Sequence, residues 1–174
     1  MSYFNYHNKS IFYQEIGSGT PTIFLHGNTA SSKMFERLLP LYQTNFRAIM
    51  IDFLGNGQSD RVKGVSSDLW YEEALQTIAL VEHLGCAQVN LVGTSGGAWV
   101  AINAALEHPE LINKVIADSF DGRTLHDGFA KDLVAERTAA KKDAQARQFY
   151  EWCQGADWEA VVDADTSALL QFMA

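Results

Sequence analysis

The sequence predicts an α/β protein with a mostly parallel sheet, an antiparallel hairpin at its N-terminus and crossover helices on both faces. Two patterns predict this class. Short apolar runs of strand type alternate with longer helix-like stretches from residue 22 to residue 119, which is typical of parallel strands joined by crossover helices. Before them, residues 2–6 and 10–16 alternate apolar and polar side chains around a short turn, as the strands of a hairpin do.

Each segment between the hairpin and residue 120 carries its own signal. The predicted strands are the compact apolar runs TIFLHG, FRAIMID, VNLVG and INKVIADS. Helical spacing of apolar residues predicts helices over 30–42, 69–85 and 97–108. Pro40 should distort the first helix, Gly85 should stop the second, and the third should end before Pro109.

The pattern changes at Asp121, so we expect two regions. Residues 1–120 form the predicted α/β core, and residues 121–174, which contain only helix-like stretches, form the start of a predicted helical lid. Asp157 and Asp165 are the predicted N-caps of two short helices in this segment, because aspartate accepts hydrogen bonds from the free N–H groups of a helix start. The large side chains of the segment predict either an apolar roof over a pocket or ordinary helix packing.

Composition limits the classes of partner. The chain has 174 residues, of which 47% are apolar, and a net charge of −8, which argues against a nucleic acid or an anionic membrane as the main partner. No basic start followed by an apolar run marks a signal peptide, and no apolar stretch has the length that a bilayer requires. The two cysteines lack metal-ligand spacing, and we expect no metal, no cofactor and a cytoplasmic location.

Ser95 is the candidate nucleophile. The segment Gly93-Thr94-Ser95-Gly96-Gly97 fits the pattern G-x-S-x-G and lies between a predicted strand and a predicted helix, where a sharp turn exposes a serine hydroxyl. Side chains at positions 93 and 97 would collide across such a turn, and glycine avoids both collisions. The pattern alone fits a glycine-rich turn with a solvated serine equally well, whereas its strand–helix context favours the nucleophile.

Two backbone N–H groups are candidates for an oxyanion hole. Gly96 begins the helix after Ser95, where free N–H groups point at the serine. His26-Gly27-Asn28 follows an upstream strand, and such a loop can bring the N–H of Asn28 to the same oxyanion. A His-Gly turn after a strand is common by itself. Its position one strand–helix unit before the serine favours a role in the oxyanion hole.

Three segments, FLHGNTASS, DFLGNGQSD and LVGTSGG, stand in the order and near the spacing that is typical of α/β-hydrolases. The sequence therefore resembles that superfamily, closely over residues 1–120 and less closely over 121–174. The resemblance implies a nucleophile at Ser95, oxyanion-hole N–H groups at Asn28 and Gly96, and a mainly structural role for Asp52 and the turn after it.

A serine at the nucleophile position narrows the chemistry. The related dehalogenases and epoxide hydrolases carry an aspartate nucleophile there, so the resemblance implies an acyl hydrolase of esterase, lipase or thioesterase type that acts on a small ester or thioester. Two alternative functions remain. One is the activity of the cofactor-free haloperoxidase-like relatives, which share the serine. The other is that of a hydrolase-like protein that binds a ligand or a partner without turnover.

The catalytic base is the missing part of this interpretation. In the superfamily the order is serine, acid, histidine, and the histidine follows the last strand. After Ser95 the sequence supplies one further strand, and no histidine is a convincing base: His26 belongs to the oxyanion loop, and His126 opens the helical segment. Asp118, at the end of the sixth strand, is the candidate acid, or it caps the following turn.

The last two strands of the α/β-hydrolase fold are therefore missing from the sequence, and INKVIADS should form an exposed apolar edge. Four explanations are possible. The chain is the N-terminal part of a longer protein, or it was cut from one. Alternatively, it completes its sheet by self-association or with a C-terminal fragment, or it is a natural truncation without activity. Alone, the 174-residue chain should be inactive, because it lacks the catalytic histidine.

Overall fold

The computed structural model describes residues 2–64, 66–120, 122 and 124–173, and it contains one six-stranded sheet with helices on both faces. The strands are β1 (Ser2–Tyr6), β2 (Lys9–Ile16), β3 (Thr20–Leu25), β4 (Phe46–Ile51), β5 (Val89–Thr94) and β6 (Ile112–Asp118). The helices are α1 (Leu39–Tyr42), α2 (Leu69–His83), α3 (Gly96–Glu107), α4 (Phe129–Ala140), α5 (Ala144–Gln154) and α6 (Trp158–Phe172). The predicted α/β class is confirmed.

The order of the strands brings two loops together. The order is β1-β2-β4-β3-β5-β6; β1, β2 and β4 pair antiparallel in turn, whereas β4, β3, β5 and β6 are parallel. The chain moves from β3 outward to β4 and then returns past β3 to β5, so the direction of winding reverses between β3 and β5. Loops at the carboxyl ends of parallel strands form a crevice beside such a reversal, and these two loops carry Asn28 and Ser95.

Apolar side chains of the central strands point alternately to the two faces of the sheet. In β3, Ile23 and Leu25 pack into the main core with α2 and α3, whereas Phe24 points to the opposite face. There it meets Phe35 and Met50. A strand that is apolar on both sides needs a cover on each, and helices flank both faces as predicted.

The first predicted helix is wrong. Residues 30–42 form a 3₁₀ turn, Ser32–Phe35, followed by the separate and short α1. Pro40 lies in the first turn of α1, where its missing N–H is not needed. Because the proline ring would clash with the carbonyl group of Glu36, a continuous helix cannot pass through this position.

One of the two predicted helix starts after residue 121 is observed. α6 begins at Trp158, directly after Asp157, but the Asp157 carboxylate accepts two hydrogen bonds of 2.8 and 2.9 Å from the guanidinium of Arg61 and does not cap the helix. The prediction for Asp165 is wrong, because this residue lies buried in the middle of α6. No glycine or proline interrupts the sequence between Trp158 and Phe172, so one helix continues through it.

The helices α4, α5 and α6 pack onto one another, and α5 also contacts the 3₁₀ turn Ser32–Phe35 while α6 contacts α2. Leu133, Ala168 and Leu169 join the main core. The rings of Tyr150 and Trp158 stack 5.6 Å apart in a smaller cluster, so helix packing accounts for these two aromatic side chains. A separate role of residues 121–174 as a lid stays a prediction.

None of the helices in the part of the chain that the structure describes is long and apolar enough to cross a membrane.

β6 is the outermost strand of the described sheet. Val115 and Ile116 are 37% and 59% exposed, so the expected apolar edge is present. A cavity of about 490 Å³ lies beside this edge, and Phe24 and Val92 are among the apolar residues that line it. Unpaired strand edges recruit further strands, and pairing of β6 with another chain stays a prediction.

Candidate active site

Ser95 stands on a turn of one residue between β5, which ends at Thr94, and α3, which begins at Gly96. Its backbone has φ 56° and ψ −121°, a conformation that costs a non-glycine residue about 1–3 kcal/mol. Its N–H donates to the carbonyl group of Asp118 at 2.8 Å, which ties the turn to the end of β6. The side chain is exposed and does not cap α3. The hydroxyl is therefore accessible to a substrate.

The glycines around Ser95 are required by close backbone contacts. A Cβ atom on Gly93 would lie 2.0 Å from the carbonyl oxygen of Gly97, which is the collision across the turn that the sequence predicts. A Cβ atom on Gly97 would instead lie 2.2 Å from the carbonyl oxygen of Leu25. A side chain at position 97 would therefore collide as predicted, but with Leu25 at the end of β3 and not with the opposite side of the turn. The reason is that the start of α3 packs against the end of β3.

The loop His26-Gly27-Asn28 touches the turn at Ser95. It follows β3, whose last residue pairs with Gly93 of β5. A Cβ atom on Gly27 would lie 3.2 Å from Cβ of Ser95, and one on Gly96 would lie 2.0 Å from Oδ1 of Asn28. The structure therefore brings together the predicted nucleophile and both residues predicted to supply the oxyanion hole. Their catalytic roles stay predictions.

His26 has a structural environment. Its ring is buried, Nδ1 lies 2.9 Å from the carbonyl oxygen of Gly27, and Nε2 lies 3.2 Å from the backbone nitrogen of Phe53. The Phe53 N–H can only donate, so Nε2 accepts and Nδ1 carries the proton. Burial lowers the pKa of His26, against the opposing effect of Asp52. A neutral imidazole with both nitrogens engaged cannot serve as the base for Ser95.

None of the other histidines, all within the described residues, has a hydrogen bond to Ser95. His83 lies against Tyr13, His108 against Glu110, and exposed His126 accepts from the N–H of Gly128; His7 lies in the N-terminal hairpin turn. In the part of the chain that the structure describes, Ser95 therefore has no histidine base.

Asp118 lies at the end of β6, beside Thr94 of β5. Its carboxylate accepts a hydrogen bond of 3.0 Å from the hydroxyl of Ser119. Asp118 is thus near the turn at Ser95 without a histidine to orient. Ser119 also has a positive φ of 55° and lines the cavity beside Ser95, which makes it a second accessible hydroxyl that the sequence interpretation missed.

A cavity of about 220 Å³ opens beside Ser95, with Asn28 and Gly96 in its wall. Most of its other lining residues are apolar and come from α2, α3 and the segment after β6, although polar atoms form the larger part of the surface that faces the cavity; these apolar residues are Trp70, Trp99, Phe120, Leu125, Phe129, Leu133 and Leu169. The rings of Trp70 and Trp99 stack 5.3 Å apart. Two charged residues of α4, Glu136 and Arg137, complete the lining.

The side chain of Asn28 is held between two residues that sequence reasoning missed. Nε1 of Trp70 donates to Oδ1 of Asn28 at 3.1 Å, and Nδ2 of Asn28 donates to Oδ1 of Asp165 at 2.6 Å. A signal for Asp165 exists in the sequence, since helical spacing places this aspartate on the same face as Val161, Ala168 and Leu169. A buried carboxylate needs a partner, and Asn28 is one.

The helices after β6 hold the loop of Asn28 through further hydrogen bonds. The hydroxyl of Ser31 donates to the carbonyl group of Cys153 at 3.0 Å, and Nε2 of Gln154 donates to the carbonyl group of Ala30 at 2.7 Å. The conformation of the loop after Asn28 therefore depends on α5 and α6 as well as on β3.

Asp52 has the structural role that the resemblance implies. Its carboxylate is buried, with Oδ1 accepting from the N–H of Ser32 at 2.6 Å and Oδ2 accepting from the N–H of Gln58 at 2.8 Å. A Cβ atom on Gly57 would lie 2.0 Å from Oδ2 of Asp52. The carboxylate therefore joins the end of β4 to the segments around residues 32 and 58.

Glu73 should make the protein less stable as the pH rises. It is buried in α2, and burial, followed by repulsion from Asp165, raises its pKa well above the ordinary value of 4.5. A folded state with a raised carboxyl pKa binds its proton more tightly than the unfolded state does. The contribution of Glu73 to stability is therefore most favourable below pH 4.5 and is lost as pH rises through the folded-state pKa.

We expect Glu73→Gln to raise the free energy of unfolding at pH 8, by on the order of 1 kcal/mol, and to change it little at pH 4. Urea unfolding at both pH values measures this. Glu82→Gln, at an exposed position of the same helix, is the control and should change stability by less than about 0.5 kcal/mol at either pH. A Glu73→Gln effect that does not grow with pH would contradict the assignment.

The fold has counterparts among known proteins. Residues 20–172 match a family model described as alpha/beta hydrolase fold. The chain is 32% identical over 108 residues to 2-(acetamidomethylene)succinate hydrolase of Mesorhizobium japonicum, in an alignment that covers 62% of this chain and 38% of that protein. It is 27% identical over 162 residues to a candidate non-heme haloperoxidase of Mycobacterium phage D29, covering 91% of this chain and 56% of that protein.

Among solved structures, a thermophilic esterase from Thermogutta terrifontis superimposes with a TM-score of 0.75 at 21% sequence identity, over 92% of this chain and 67% of that one. At this identity the likeness concerns the fold alone. The chain spans 38% and 56% of the two curated relatives named above, which is less than two thirds of their length.

Proposed function

The chain belongs to the alpha/beta hydrolase fold family, and on that premise we propose that it is a serine acyl hydrolase in which Ser95 is the nucleophile. Relatives in this family are hydrolases of several kinds. A serine on the strand–helix turn favours acyl transfer, with an ester or thioester of a small molecule as substrate. The observation that carries the proposal is the exposed Ser95 at φ 56° in contact with the loop of Asn28.

The proposed reaction has two covalent steps. Oγ of Ser95 attacks the carbonyl carbon of the substrate and loses its proton to a base, and the N–H groups of Asn28 and Gly96 hold the negative oxygen. The alcohol or thiol leaves with a proton, and the acyl group stays on Oγ. Water then attacks the acyl group, the acid is released, and Ser95 regains its proton. Loss of one oxyanion donor would slow such a reaction about 10²–10³-fold.

The base is the part that the described residues do not supply. His26 is neutral and engaged at both nitrogens, and Asp118 contacts Ser119. We therefore expect Ser95 of the isolated chain to react slowly, and a small external base to accelerate the reaction. In this proposal the chain provides the nucleophile, the oxyanion hole and most of a pocket, and the histidine comes from elsewhere.

Two other functions have specific support. The absence of a histidine at Ser95 among the described residues favours a hydrolase-like protein that binds a ligand or partner without turnover. The similarity to the phage candidate haloperoxidase, over 91% of this chain, favours a cofactor-free haloperoxidase-like activity. An assay of bromide- and peroxide-dependent halogenation distinguishes that activity from ester hydrolysis.

Covalent labelling with a fluorophosphonate tests the proposal. The serine oxygen displaces fluoride from phosphorus, and peptide mass spectrometry identifies the labelled residue. We expect the label on the peptide that contains Ser95, and we expect added imidazole to raise the labelling rate about tenfold or more, because a positioned base contributes about 10²–10⁴-fold and a free one less.

Two variants give the controls. Ser95→Ala should lose the label, whereas Ser119→Ala, which removes the neighbouring hydroxyl of the same cavity, should keep it. The proposal is contradicted if the wild-type chain stays unlabelled with imidazole present, or if the label resides on Ser119. The first result would favour a binding protein without an activated nucleophile.

A further inference from the structure

Thr29, which follows Asn28 in the loop after β3, has a strained backbone. Its φ is 60°, a left-handed conformation that a β-branched side chain rarely adopts. The residue is also buried, with 2% of its surface exposed. Strain of this kind persists only where the surrounding groups hold the residue in place. The groups that contact Thr29 therefore show what fixes the conformation of the loop.

The hydroxyl of Thr29 connects the backbone of Asn28 to Arg137 on α4. Oγ1 donates to the carbonyl group of Asn28 at 2.6 Å and lies 3.2 Å from Nη1 of Arg137, from which it accepts. The same Nη1 lies 3.3 Å from the hydroxyl of Tyr150. The guanidinium therefore holds the loop through one intervening hydroxyl.

The side chain of Asn28 is bound by Asp165, which is the ionic partner of Arg137. Nδ2 of Asn28 donates to Oδ1 of Asp165 at 2.6 Å. Oδ2 of Asp165 lies 3.6 Å from Nη2 of Arg137, and the two side chains are 10% and 14% exposed. One buried ion pair between α4 and α6 thus contacts the loop at two points, the carbonyl group of Asn28 through Thr29 and the side chain of Asn28 directly.

The stability of the fold does not explain this ion pair well. Within the described part of the chain, Nε of Arg137 and Oδ2 of Asp165 are buried without a hydrogen-bond partner, so the loss of water from both groups is compensated incompletely. Apolar residues of similar volume often replace buried ion pairs at no cost in stability. The effect of the pair is therefore expected in the conformation of the loop that it holds.

We propose that Arg137 and Asp165 are positioning residues, which fix the loop so that the N–H of Asn28 points at the oxyanion formed at Ser95. This inference rests on the proposed function, because it concerns the oxyanion hole of the same site. No acceptor among the described residues binds the N–H of Asn28, which leaves this donor available to a substrate. A Cβ atom on Gly96 would lie 2.0 Å from Oδ1 of Asn28, so the residues of both proposed donors are in contact.

Replacement of the ion pair by apolar residues tests the proposal. The double variant Arg137→Met with Asp165→Leu approximately keeps the volume but removes the hydrogen bonds to Thr29 and Asn28. Saturation kinetics of fluorophosphonate labelling, with imidazole present, give a maximal rate constant and a half-saturation concentration for the folded chain. We expect the maximal rate constant to fall about tenfold or more, because complete loss of an oxyanion donor costs about 10²–10³-fold. The half-saturation concentration should change less than about threefold, since the donor acts in the transition state.

Two further variants separate positioning from a general effect of charge or packing. Arg147→Met with Glu151→Leu replaces an exposed ion pair of α5 and should leave both constants unchanged. Asp165→Asn keeps an oxygen that accepts from Nδ2 of Asn28 and should keep the maximal rate constant within about threefold of the wild-type value. If the double variant at positions 137 and 165 does not fold, Thr29→Val, which removes the connecting hydroxyl, should lower the maximal rate constant in its place. Wild-type labelling kinetics in the variant that is measured would overturn the inference.

The inference and the proposed function fail in different ways. Labelling of Ser95 at the wild-type rate in the double variant would leave the acyl hydrolase intact and remove the positioning role. If Ser95 is never labelled, the proposed function fails, and the backbone ¹H–¹⁵N resonance of Asn28 decides the role of the ion pair. We expect this resonance to shift more in the double variant at positions 137 and 165 than in the control at positions 147 and 151. Equal shifts would overturn the inference.

Discussion

Gly93→Ala is expected to destabilise the protein by about 3 kcal/mol or more, or to prevent folding. A Cβ atom at this position would lie 2.0 Å from the carbonyl oxygen and 2.4 Å from the carbonyl carbon of Gly97. Both atoms belong to the backbone at the start of α3, so no side chain can rotate away. Overpacking of a rigid site costs about 1–3 kcal/mol and occasionally more, and here β5 or α3 must shift. Urea unfolding measures the loss.

Gly128→Ala is the matched control. Gly128 precedes α4 with a φ of −93°. A Cβ atom there would lie 3.3 Å from the flexible carboxylate of Asp132 and 3.5 Å from Nδ1 of His126, and both are side-chain atoms that can move. We expect a change of less than about 1 kcal/mol in the free energy of unfolding. If the two variants unfold at the same urea concentration, the turn around Ser95 is not as tight as described.

Asp52→Ala is expected to cost about 3–6 kcal/mol. The carboxylate accepts hydrogen bonds from the N–H groups of Ser32 and Gln58 at 2.6 and 2.8 Å, and hydrogen bonds to a charged group contribute about 1.5–3 kcal/mol each. Asp52 is 1% exposed, so little water can replace it. The loss of two acceptors leaves donors of two separate segments unpaired, and urea unfolding should show one large decrease in stability.

Asp60→Ala provides the comparison for Asp52→Ala. The Asp60 carboxylate also accepts from a backbone N–H, that of Ser10 at 2.9 Å, but at an exposed position. Water can replace it there, so the expected cost is about 0.5–1.5 kcal/mol. Equal costs for the two variants would mean that burial of Asp52 adds nothing, which contradicts its role as the link between segments.

The parts of the fold that follow local rules could be predicted from the sequence. The turn at Ser95 and the loop of Asn28 were located because glycines at fixed spacing between a strand and a helix have a geometric cause. The parallel strand order then brings the two loops together. The apolar spacing of residues 30–42 favours one helix, but Pro40 permits only a new helix start, and this makes the prediction of a continuous helix wrong.

The side of the site that is formed by the helices after β6 could not be predicted, because its contacts join residues far apart in the sequence. Asn28 and Asp165 are 137 positions apart, and no local pattern relates them. The sequence interpretation treated Asp165 as a helix cap, since aspartate is common at that position. Arg137 belongs to a highly charged stretch that is typical of a solvated surface, and only the packing of α4 places its guanidinium in the cavity.

A crystal structure of the phosphonylated chain tests the central proposal most directly. With Ser95 as the nucleophile, the phosphorus is bonded to its Oγ, and the phosphoryl oxygen should lie about 2.7–3.1 Å from the backbone nitrogens of both Asn28 and Gly96. A phosphoryl oxygen that points to solvent, or a phosphorus atom bonded to Ser119, would contradict the proposed oxyanion hole and the nucleophile with it.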